Sequence, residues 1–139
     1  MRWFIRLNFT SIIFAFPLFI SLELMLNVYR IGRVTGWDLE KVKRIIHIYN
    51  FVGFVILTII FLYIVNKWME GRAARYWTIP LSILYLFLFI FIFKSLLPIT
   101  YPGDDPNPVS GLIVIALMIL YPFYLFFINL FVNSKAALR

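Results

Sequence analysis

Residues 46–66 read IHIYNFVGFVILTIIFLYIVN, a run without Asp, Glu, Lys or Arg. At about 1.5 Å of rise per residue, a helix of this length covers the roughly 30 Å of a bilayer's hydrocarbon core. Backbone N–H and C=O groups must be satisfied internally at that depth, and a continuous apolar run does so as a helix. Further apolar runs lie at about 7–28, 77–97 and 110–132. Just upstream, Thr35-Gly36-Trp37-Asp38 matches a helix-start pattern in which a side-chain oxygen accepts from a first-turn amide and the acid suits the helix dipole. The second helix is therefore expected to begin near Asp38 and to run over 39–66, roughly 42 Å, with its first turns in headgroups or water.

The expected fold is all-α: an integral membrane protein with four transmembrane helices in an antiparallel up-down bundle, at about 7–28, 39–66, 77–97 and 110–132. The connections leave no room for a soluble domain, so residues 1–139 are expected to form a single domain. Composition agrees. The chain is 63% hydrophobic and only 14% charged, with a mean hydropathy of +0.95, whereas soluble domains carry about 25% charged residues. Arg2 and Arg6 precede the first span, but it exceeds a signal-peptide core and lacks a small-x-small cleavage site, so it is expected to be retained.

The net charge of +7 does not point to nucleic acid, because the Lys and Arg residues cluster at span ends, where they meet lipid phosphates and direct insertion. With both termini inside, Arg2, Arg6, Lys67, Arg72, Arg75, Lys135 and Arg139 are cytoplasmic, against Arg30, Arg33, Lys41, Lys43 and Arg44 outside. The loop over 99–108 carries Asp104 and Asp105 and no base, so nothing retains it in the cytosol. The expected location is a bacterial cell membrane, multi-pass, with both termini cytoplasmic.

Polar residues inside the spans carry the functional question. Glu23 is placed roughly 8 Å and Lys94 roughly 10 Å beyond the bilayer centre, on the same side, because their spans run in the same direction. The second span brings His47 and Asn50 to that level, and Glu40, Lys43, His47, Asn50, Phe54 and Thr58 share one helical face. A buried charge is costly in lipid, so Glu23 is expected to face the bundle interior, either paired with Lys94 or protonated. Two alternatives compete with that pair: Lys94 can snorkel, and Glu23 can bond Asn27 one turn on. The expected intramembrane polar cluster is Glu23, Asn27, His47, Asn50 and Lys94. Arg30, Arg33, Lys41, Lys43 and Arg44 face Asp104 and Asp105 across the same end, to close on each other or on a partner.

Pro17 and Pro122 fall near span centres and are expected to kink them, while Pro80 sits harmlessly in a first turn. Few Gly, Ala or Ser residues lie in the spans, so packing is expected to be loose, and Gly32-x-x-x-Gly36 falls in a charged loop rather than an apolar dimer face. Cysteine is absent and His47 is the one histidine, which leaves no metal or haem constellation, and no phosphate-cradling loop is present. No cofactor is expected.

Two functions remain. The first is a small non-enzymatic membrane protein that binds another membrane protein as an accessory subunit, regulator or immunity-type factor, among membrane lipids. The alternative is a homo-oligomeric proton- or cation-coupled transporter or channel using Glu23.

Overall fold

The computed structural model describes residues 1–69 and 73–137, with side chains through residue 132. Arg72 and Arg139 lie outside the described residues, and so does the side chain of Lys135. Every regular element among the described residues is helical: α1 Arg2–Leu26, α2 Val28–Thr35, α3 Leu39–Trp68, α4 Thr78–Leu96 and α5 Pro108–Ala137. Short 3₁₀ turns at Ala73–Trp77 and Pro102–Asp104 lead toward α4 and α5. Four helices, α1, α3, α4 with its leading turn, and α5, are long and apolar enough to cross a membrane.

The helix α2 replaces what the sequence presents as loop. It ends because Gly36 adopts φ +71°, a left-handed conformation that glycine enters without a Cβ penalty, and the Gly36 amide donates to the Gly32 carbonyl at 2.9 Å. The chain then folds back tightly enough that a Cβ on Gly32 would lie 3.2 Å from Leu39 and 3.3 Å from the Trp37 carbonyl. Gly32-x-x-x-Gly36 is thus turn chemistry. The start of α3 is also corrected in detail: Asp38, not Thr35, is the cap, its carboxylate accepting from the Lys41 amide at 2.8 Å. Thr35 belongs to the last turn of α2 and bonds the Ile31 carbonyl.

Helix α1 is the centre of the molecule, with 39% of its apolar window buried inside against 17%, 11% and 11% for the other three. It packs most extensively on α4, and also on α3 and α5. Ring contacts Phe9–Trp68 and Phe14–Phe61 pair rising positions on α1 with falling positions on α3. Against α4 both sets rise together, from the Tyr85 hydroxyl on Asn8 to the Phe19–Phe93 contact. Packing along the α1–α4 seam is close rather than loose, because Ser11, Ala15, Thr78 and Ser82 are all essentially buried. These are two small-x-x-x-small pairs, which let backbones approach, and their hydroxyls stay silent by bonding back to carbonyls of their own helices or turns. Pro17 removes the amide that would serve the Ile13 carbonyl. The neighbouring Phe14 carbonyl accepts from the Tyr121 hydroxyl of α5, tying the weakened turn to its neighbour.

Candidate functional site

The polar residues expected to form one cluster fall into separate places. Glu23 is buried, 8% exposed, as expected of an interior carboxylate. Its partner is Asn27, whose Nδ2 donates to Glu23 Oε2 at 3.0 Å and to the Glu23 carbonyl at 2.8 Å. Asn27 is also the junction residue between α1 and α2, so this side chain fastens the last turn of one helix while the chain reorients into the next. Lys94 is exposed and forms no ion pair with Glu23 among the described residues, so of the alternatives weighed from the sequence the Asn27 bond forms and the Lys94 pair does not. The physical reason is reach: Lys94 lies exposed in the last turn of α4, on a different helix, while Asn27 stands one helical turn from Glu23. The second carboxylate oxygen, Oε1, is buried without a hydrogen-bond partner.

The charged loops close on each other. Arg33 grips Asp104 with two parallel hydrogen bonds, Nε to Oδ1 at 2.9 Å and a terminal nitrogen to Oδ2 at 2.6 Å, the fork geometry that suits a guanidinium and a carboxylate. Asp104 is 2% exposed in this grip. The two guanidinium hydrogen bonds hold its carboxyl below the usual aspartate range, with the charge of Arg30 adding to the effect. Arg33 also lies 5.1 Å from the Tyr101 ring centroid, and Gly103 permits that ring's position, since a Cβ there would collide with Tyr101. Arg30 donates to the carbonyls of Leu97 and Pro98 at 3.0 and 2.8 Å, covering the end of α4. Asn107 bonds the Tyr29 hydroxyl at 3.1 Å and caps α5 through the Ser110 amide.

The other loop residues stand apart from this clasp. Lys41 lies over the Trp37 ring, 4.5 Å away, and Lys43 pairs with Glu40 at 3.2 Å. Arg44 and Asp105 are exposed, with no side-chain partner among the described residues.

His47 and Asn50 face a different neighbour. With Ser21, Phe54, Tyr121 and Tyr124 they line a groove of about 610 Å³ between α1, α3 and α5. The shared helical face read from the sequence holds its line here: Thr58, one turn below Phe54, bonds the Tyr124 hydroxyl at 2.7 Å. Asn50 Oδ1 is buried and unpartnered. Neither Glu23 nor Lys94 lines this groove. Ser95 bonds the Phe91 carbonyl of its own helix.

A second set of buried polar groups was not read from the sequence as an interior cluster. Thr10, Asn129 and Arg75 are buried toward the opposite end. Arg75 is 2% exposed and stacks on Tyr76 at 5.4 Å. No group of His, Asp and Glu among the described residues is arranged to hold a metal ion. No protein-family model, curated protein or solved structure matches the chain.

Proposed function

We propose that this chain is a multi-pass integral membrane protein of a bacterial cell membrane, an antiparallel up-down bundle with both termini cytoplasmic, that works without catalysis by binding another membrane protein. An accessory subunit, a regulator and an immunity-type factor all fit that description. The observation that carries the reading is the clasped end: Arg33 on Asp104 and Arg30 on the end of α4 turn two short connections into one fixed surface. Apart from the clasp, Arg44 and Asp105 are exposed, with no side-chain partner among the described residues. Fixed charges of opposite sign at the edge of an ordered surface set partner choice and register more than raw affinity.

The test is recovery of the chain from mild detergent. A partner at fixed stoichiometry, whose recovery falls at least about tenfold with Arg44→Glu and Asp105→Lys combined, supports the reading. Recovery of the chain alone, or of a companion indifferent to both charges, overturns it.

A second reading, proton- or cation-coupled transport by a homo-oligomer, draws on the unpartnered Oε1 of buried Glu23. A flux into liposomes that disappears in Glu23→Gln selects it.

A further inference from the structure

We propose that the groove between α1, α3 and α5 binds one acyl chain of an anionic phospholipid, with the phosphate head seated in the polar recess that adjoins it. The recess, about 240 Å³, is bordered by Lys43, Tyr29, Asn107 and Ser110, and it shares Met25, His47 and Ile113 with the groove of about 610 Å³. The two are therefore one path, polar at the level of the clasped end and apolar below. Its volume lies within the range of small-molecule sites.

Depth fits the occupant. From Asn50 to Phe61 the apolar part follows α3 for roughly 17 Å at the helical rise, close to the roughly 15 Å half-thickness of a hydrocarbon core. That is the reach of a chain from one leaflet. The path has a floor where Phe61 stacks on Phe14 and the Tyr121 hydroxyl bonds the Phe14 carbonyl.

Gly53 lines the groove in the middle of α3, and a Cβ built there meets nothing within 4 Å. Glycine in a helix interior is disfavoured, and here it serves no close approach of another helix. Its effect is to leave the wall bare for something else. One turn above, Asn50 lines the groove where head and tail would meet, and its side-chain amide nitrogen can donate to an ester carbonyl of the lipid. At the mouth, Lys43 supplies the cation. Its bond to Glu40 is an exposed i,i+3 pair with Glu40 80% exposed, the kind of pair that yields readily to another anion.

Native mass spectrometry of the detergent-solubilised chain, titrated with phosphatidylglycerol and with phosphatidylcholine of the same acyl chains, tests this. The wild type is expected to take up one phosphatidylglycerol saturably, about tenfold more tightly than phosphatidylcholine. Gly53→Phe projects a ring from a position where a Cβ meets nothing within 4 Å and is expected to lower both affinities at least about tenfold, with helicity by circular dichroism unchanged. Leu117→Trp, on the facing helix, gives the same readout should the first variant not fold. Lys43→Gln with His47→Gln is expected to reduce phosphatidylglycerol to the phosphatidylcholine level while sparing the latter. Stepwise uptake of many lipids without saturation, equal binding in the filled variants, or a lipid-free dimer in which a second copy covers the groove each overturns the proposal.

Discussion

A single amide decides what becomes of Glu23. Asn27 holds one carboxylate oxygen and one main-chain carbonyl together, so Asn27→Ala leaves buried acceptors unsatisfied. It is expected to destabilise the chain by about 1–3 kcal/mol in detergent thermal unfolding, more than Asn27→Asp at a pH where that carboxyl is protonated. Lys94→Met is expected to fall within about 0.5 kcal/mol of wild type, and its combination with Glu23→Gln to depart from additivity by less than about 0.5 kcal/mol, because no contact ion pair joins the two side chains. Non-additivity of more than about 0.5 kcal/mol would reinstate the bridge. The Glu23–Asn27 contact was legible as an i,i+4 spacing on one helix. The absence of the cross-helix bridge was not, since equal depth says nothing about which way two side chains turn around their helices.

At the level of elements, α2 is where the sequence misled. Its eight residues are too few for a helical period to stand out, and two arginines and a glycine among them read as loop. What makes the helix worthwhile is tertiary: Arg30, Arg33 and Tyr29 each find a partner on the 97–107 segment. The pH dependence of this clasp follows from Asp104, whose folded-state carboxyl titrates below its unfolded value of about 3.9. The stabilisation is complete above that value and is lost as pH falls through the lower, folded one. The difference in unfolding midpoint between wild type and Asp104→Asn is therefore expected to be constant at neutral pH and to shrink below about pH 4. A difference unchanged into strong acid would show that the contact contributes nothing. The α1–α4 seam makes a second prediction: Ser82→Leu is expected to destabilise by about 1–3 kcal/mol through overpacking, while Leu84→Ser, on the exposed side of the same helix, does not disturb the seam. Thermal unfolding of both variants in one detergent checks the contrast. Small residues at four-residue spacing were visible in the sequence, but only contact reveals that two such pairs meet.

For the whole molecule, the four long helices were plain from length and apolarity, which are properties of one segment at a time. Their arrangement was not, and neither was the groove, whose walls come from three helices distant in the chain. Orientation is testable because the chain contains no cysteine. Asp105→Cys is expected to react with a membrane-impermeant maleimide on intact cells, and Arg2→Cys only after permeabilisation. The reverse pattern inverts the proposed topology.

The enclosure of α1 by α4 bears on how the chain is made. Its closest companion is encoded some seventy residues later, so when the first two helices have left the ribosome, Ser11 and Glu23 still face acyl chains or the insertion machinery. Until the third long helix arrives, the growing polypeptide carries an uncovered hydrophilic stripe. Products truncated before that point should be short-lived substrates for membrane proteases, whereas those ending after it should persist.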